Sequence, residues 1–183
     1  MLFEYRHPSC SHTAMLLLLA TPLLSVEAQA ADNLNFKGDL VAAACTLHPG
    51  DAAIDINFAE ISAQSLYLNT RTVGRPFELH LEGCDISIAD SVTVMFGGVE
   101  SAQLPGFLAL GAGSSARGIA IGLETSDDQP LPLNVSSDEQ TLSNGANVIS
   151  LKAFVQGEKD AIANQKIRKG RFTATSTFTL AYP

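Results

Sequence analysis

Histidines, cysteines and clustered charges are the residues of this 183-residue chain with chemical potential, and their spacing narrows what they could do. Glu78-Leu79-His80-Leu81-Glu82 alternates so that, on a strand, two carboxylates and an imidazole share one face. Such a set could in principle coordinate a metal ion, but it also describes an ordinary solvated strand face, and that is the reading adopted. His48 and His80 are the two histidines beyond the first thirty residues, and no G-x-S-x-G elbow accompanies them. They offer poor material for a serine triad or for the histidine-rich site of a copper-zinc dismutase. Gly111-Ala112-Gly113-Ser114-Ser115-Ala116 matches a loose dinucleotide pattern, but a strand-like run from Gly118 follows where a pyrophosphate would need a helix. It reads as a flexible loop. Lys166, Arg168, Lys169 and Arg171 read as a solvated connection, and nothing is assigned to the sequon Asn134-Val135-Ser136. No enzyme activity, cofactor or metal is expected.

The elements that would carry these residues begin after a leader. Arg6, the apolar run Ala14 to Leu24 and the small-x-small site Ala28-Gln29-Ala30 have the layout of a secretory signal peptide over residues 1–30. Cleavage there removes Cys10 and leaves Cys45 and Cys84 in an oxidising compartment, where one disulfide is expected. Ala42-Ala43-Ala44-Cys45 could be taken for a lipoprotein box, but polar residues from Asp32 to Asp39 separate it from the apolar run. A formal net charge of -8 disfavours nucleic acid or an anionic membrane as partner and leaves a protein surface.

Period-2 alternation dominates the remainder. Ile54, Ile56, Phe58; Phe77, Leu79, Leu81; Val92, Val94, Phe96; Ile119, Ile121, Leu123; and Ile149, Leu151, Ala153, Val155 each predict a half-buried strand. A final strand is predicted from Phe172 to Tyr182, its apolar face opposite a ladder of Thr173, Thr175, Thr177 and Thr179. Turns are expected at His48-Pro49-Gly50-Asp51, Gly97-Gly98, Leu104-Pro105-Gly106, Asp127-Asp128-Gln129-Pro130 and Asn144-Gly145. No stretch shows a convincing helical period. The fold expected is an all-β sandwich without the tryptophan of antibody domains. The alternating segment Asp32 to Val41 starts beside the cleavage site, and the chain ends on its longest amphipathic strand. A sandwich missing its seventh strand would expose a groove.

These ends, with Phe36-Lys37-Gly38, Ala43-Ala44-Cys45-Thr46 and Leu81-Glu82-Gly83-Cys84, resemble the subunits of chaperone-usher fimbriae of the type 1 and P pilus kind. Gly170 lies fourteen residues from the C-terminus counted inclusively, and Tyr182 is penultimate, as in that family's C-terminal pairing motif. Phe77 to Glu82, Leu104-Pro105-Gly106 and the ending are most similar to minor tip-adaptor pilins. The resemblance implies an incomplete immunoglobulin-like β-sandwich that lacks its last strand and is completed by a donor strand. It implies a donor-strand extension over residues 31–42, with Leu34, Phe36, Gly38 and Leu40 as donor residues, and a pilin domain over 43–183. It implies that Gly170, Phe172, Ala174, Ser176, Phe178, Leu180, Tyr182 and Pro183 bind chaperone or neighbour. The implied partners are a periplasmic fimbrial chaperone, an outer-membrane usher and neighbouring subunits, and the destination is the cell surface. The competing reading is a stand-alone secreted glycan-binding sandwich.

Overall fold

The computed structural model describes residues 43–183. Seven strands are defined among them: β1 (Thr46–Leu47), β2 (Arg75–Cys84), β3 (Ser91–Gly97), β4 (Ile119–Thr125), β5 (Gln140–Thr141), β6 (Gly145–Gly157) and β7 (Thr177–Ala181). They form two antiparallel sheets, ordered β1-β2-β6-β4 and β5-β3-β7. The predicted runs at 77–81, 92–96, 119–123 and 149–155 all fall within strands. Their inward residues make the core, with Leu79, Leu81, Val92, Val94, Ile149, Leu151 and Val155 each almost wholly removed from water.

The disulfide joins Cys45 to Cys84 across 39 residues, beside the Thr46↔Glu82 and Leu47↔Leu81 pairs of the β1/β2 ladder. By the chain-entropy argument, closing that loop removes about 4 kcal/mol of unfolded-state freedom. The amide of Asp85 also donates to the Ala44 carbonyl at 2.9 Å, so the start of the domain is tied to the far end of β2.

Four expectations need correction. Two short α-helices exist among the described residues, α1 (Ala63–Asn69) and α2 (Lys159–Ala163). They are one to two turns long and bury only Ala63, Leu66 and Ala161, too few residues for a 3.6 period to stand out in the sequence. Ile54, Ile56 and Phe58 do alternate inward, but they belong to no ladder among the described residues. The last strand is shorter than predicted, because Phe172 to Ser176 are extended without pairing to β3. A loop holds that stretch instead. Gly111 N–H donates to Thr173 O at 2.7 Å, and the amides of Ser115 and Ala116 both reach Arg171 O. The loop read as flexible is thus packed, and the buried Ser114 hydroxyl accepts the Thr173 amide at 3.0 Å.

On the outer face of the β4/β6 pair, burial departs from simple alternation. Ala120, Gly122, Glu124 and Phe154 point away from the sandwich interior by phase, yet they are buried. Arg71 explains this, since its guanidinium makes two hydrogen bonds to the Glu124 carboxylate, at 2.8 and 2.7 Å, and stacks 3.6 Å above the Phe154 ring. Gly122 has to lack a side chain, because a Cβ would fall 2.3 Å from Phe154 and 2.7 Å from Phe107. Glu124 is 2% exposed, and Arg71 supplies both hydrogen bonds to its buried carboxylate. Replacing Arg71 by Ala should destabilise the domain by about 3 to 5 kcal/mol, read as a lower urea midpoint, and Arg71→Ala with Glu124→Gln together should recover much of that loss. An unchanged midpoint for the single variant would show that the pair is stability-neutral.

Candidate functional site: an open groove along the final strand

β7 lies at the end of its sheet, paired on one side only. Its register on β3 sets Phe178 opposite Phe96 and Leu180 opposite Val94. The β3 members are buried, Val94 at 2% and Phe96 at 6% exposure, whereas Phe172, Ala174, Ser176, Phe178, Leu180 and Tyr182 all remain half-buried. The core is therefore closed behind β3 and incomplete beside β7.

The other flank of this opening is the segment Ile54 to Ile61. Ile54, Ile56, Phe58 and Ile61 pack on the core from the N-terminal side and are likewise half-buried. Phe58 meets Phe172 with ring centroids 6.2 Å apart, and Phe178, Phe96 and Phe77 continue the aromatic series at 6.3 and 6.1 Å. Among the described residues, the backbone of Ile54 to Phe58 makes no backbone hydrogen bond, and the outer edge of β7 has no strand beside it. Two unpaired backbone edges thus flank a half-covered apolar core, an arrangement that calls for one more strand.

The site residues divide accordingly. Phe172, Ala174, Ser176, Phe178, Leu180 and Tyr182 lie along one wall, with Pro183 exposed at its end. Gly170 lies just before that wall and does a different job. A Cβ there would come within 2.4 Å of Ser115 Oγ and 2.9 Å of the Ala116 nitrogen, so its bare backbone is what lets the 111–116 loop clamp the start of the final strand. Leu34, Phe36, Gly38 and Leu40 lie outside the described residues. Sequence reasoning missed the second wall, because Ile54 to Phe58 look like any paired strand until the ladder is counted.

The Glu78, His80 and Glu82 face is taken up by charge contacts, with His80 between Asp51 and Glu78, whose Oε2 lies 3.4 Å from the His80 Nε2. Asp51 accepts the His80 backbone N–H at 2.6 Å and lies 2.9 Å from its Nδ1, while His48 Nδ1 lies 2.6 Å from Glu82. The His80 amide above all, and then its imidazole, hold the Asp51 carboxyl below the ordinary range. Among the described residues no three such side chains converge as a metal site would require.

With this geometry in place, comparison with known proteins is decisive. The family model described as fimbrial protein matches residues 34–183. The chain belongs to the fimbrial protein family. It is 32% identical over 173 residues to the fimbria A protein of Serratia marcescens, covering 91% of this chain and 97% of that protein. It is also 32% identical over 169 residues to a putative minor fimbrial subunit, PmfF, of Proteus mirabilis, covering 91% and 93%. In fold it is similar to the P pilus rod subunit PapA, with a TM-score of 0.66 at 22% identity over 77% of this chain and 100% of that one. The domain is thus an immunoglobulin-like sandwich short of one strand, and the protein is a structural subunit of a fimbria, where it contacts neighbouring subunits.

Tyr182 reports on the groove. Burial raises its phenol above the ordinary value near 10. Because the folded form resists ionisation, the unfolded chain loses its proton first as pH rises through about 10. Stability contributed by this group is therefore present below that pH and lost above it. A strand laid into the groove should bury the phenol further, so the alkaline absorbance titration of Tyr182, isolated by Tyr67→Phe, should move to higher pH when the groove is filled. A titration that does not move would mean that the filling strand stops short of this end.

Proposed function

We propose that the groove between Ile54 to Ile61 and Phe172 to Tyr182 is filled in trans. A strand of a periplasmic chaperone occupies it first, and the N-terminal extension of the next subunit replaces it during passage through an outer-membrane usher. The protein works by lending and borrowing strands, and the assembled fimbria on the cell surface contributes to adhesion. In this scheme residues 1–30 are the export signal and residues 31–42 are the strand this chain lends, with Leu34, Phe36, Gly38 and Leu40 facing the neighbour's groove. The domain over residues 43–183 is the receiver. The C-terminal carboxylate of Pro183 anchors the chaperone through basic residues, a contact that strengthens on desolvation.

The observation that supports this reading is the pair of edges without backbone partners among the described residues, over a half-covered core. A lent strand would add backbone hydrogen bonds at about 1 kcal/mol each. Its three large side chains would contribute about 1.5 to 3 kcal/mol apiece on burial. Together these rival the whole net stability of a small domain. An uncapped subunit is accordingly marginal and prone to edge-to-edge association.

Gly38→Leu tests the donor role. Where the strand must lie close to a groove floor, only a missing side chain fits, so the variant should still fold and bind its chaperone but join a neighbour at least about tenfold more slowly, a barrier increase of about 1.4 kcal/mol. Joining at the wild-type rate would remove the donor assignment. Loss of chaperone binding as well would show that residue 38 serves the subunit's own fold.

A further inference from the structure

The described domain is electrically polar along its strands, although its overall charge is negative. β6 carries thirteen residues from Gly145, beside Cys84, to Gly157, beside Thr70. At about 3.3 Å per residue the two ends lie about 40 Å apart. Around the Gly157 end gather residues 111–119 and 157–171, for Gly118 O accepts the Glu158 amide and Arg117 pairs with Arg168. These stretches carry Arg117, Lys159, Lys166, Arg168, Lys169 and Arg171, all exposed, against Glu158 and Asp160.

None of the six cations is in an ion pair among the described residues, whereas Arg71 and Lys152 elsewhere are paired. The fold even sets Arg117 directly opposite Arg168 through two backbone hydrogen bonds, of 3.1 and 3.0 Å. Like charges so placed cost stability. An external anionic partner would offset that cost.

The opposite end has the reverse character. Residues 43–51, 80–93, 138–147 and 178–183 contain Asp51, Glu82, Asp85, Asp90, Asp138 and Glu139, and no Lys or Arg. Asp85 is held firmly charged, since the Ser87 hydroxyl and amide push its carboxyl below the usual range. The domain is entered at this acidic end, where Ala44 O accepts the Asp85 amide and Cys45 is bonded to Cys84.

We infer that the cationic end is an electrostatic docking surface for the acidic end of a second copy of this chain. The inference rests on the strand-lending reading above. A subunit lending the residues before Ala43 must present its acidic end to the recipient. The recipient's groove has two mouths, one at Phe172 beside Arg168, Lys169 and Arg171, the other at Tyr182 beside the carboxylate end. Charge favours approach at the first and opposes it at the second. Such a field acts mainly on the rate of encounter and on the register of the two copies.

The test uses chaperone-held mature chain and two acceptor assays run side by side. In one, the acceptor receives a synthetic peptide of residues 32–42; in the other, it receives a whole second copy. Lys166→Glu, Arg168→Glu, Lys169→Glu and Arg171→Glu combined in the acceptor should slow capture of the whole copy about tenfold or more at low salt. Peptide capture should change far less. Glu82→Lys, Asp90→Lys and Glu139→Lys in the donor copy should restore the rate to the reversed acceptor. The wild-type rate should fall as ionic strength rises from about 0.01 to about 0.15 M, because screening shortens from about 30 to about 8 Å. Whole-copy capture that is insensitive to salt and to charge reversal, with peptide capture intact, would overturn the docking surface and leave strand lending standing. Failure of the peptide to bind at all would instead remove the reading beneath it. If the reversed acceptor captures copies normally but no longer binds lipopolysaccharide micelles, the cationic end serves an envelope surface and the inference is wrong.

Discussion

Backbone groups at the edge of a sheet must find partners, and along β7 and the facing segment Ile54 to Phe58 that requirement is left unmet among the described residues. β7 completes a sheet on its β3 side and meets nothing among the described residues on the other, while Ile54 to Phe58 hold their backbone free across the gap. Burial follows the same asymmetry. The β3 side chains are sealed, and their β7 partners are half in water. A further strand would satisfy both edges and cover both rows of side chains at once, which is why a single short segment can have so large an effect on stability.

The rest of the domain is built so that this opening does not spread. The Cys45–Cys84 disulfide fixes the entry of the chain to the end of β2. Ser114 and the neighbouring amides clamp Arg171 and Thr173, so the wall of the groove stays extended where it has no ladder of its own. On the far face, Arg71, Glu124, Phe154 and Gly122 interlock without contributing to the opening. A rigid body with one soft edge can exchange the occupant of that edge without unfolding, and in a fibre the same contact gives kinetic strength.

Much of this was legible in the residues. The alternation at 77–81, 92–96, 119–123 and 149–155 located four strands because an apolar residue recurs at every second position there. The terminal motifs pointed to the family, and the family model and relatives bear that out. Pairing was less legible, since alternation records which face is buried and not which backbone is bonded. Ile54 to Phe58 and Phe172 to Ser176 have strand periodicity but lie in no ladder among the described residues, and the first of them flanks the groove. Glu124 falls on the outward phase of β4, and only the fold brings Arg71 to it from 53 residues away. The cationic cluster at 166–171 read as a solvated connection because its opposite, the acidic end, is scattered over four segments that only the sheets bring together.

The central claim is that the two flanks of the groove want one common strand. Backbone hydrogen exchange on the chaperone-released subunit, followed before and after addition of a peptide of residues 32–42, tests it most directly. The amides of Ile54 to Phe58 and those on the outer edge of β7 should exchange rapidly at first and become protected together when the peptide binds, while β2 and β6 stay protected throughout. Protection of both flanks before the peptide is added, or protection of neither after it has bound, would contradict the account.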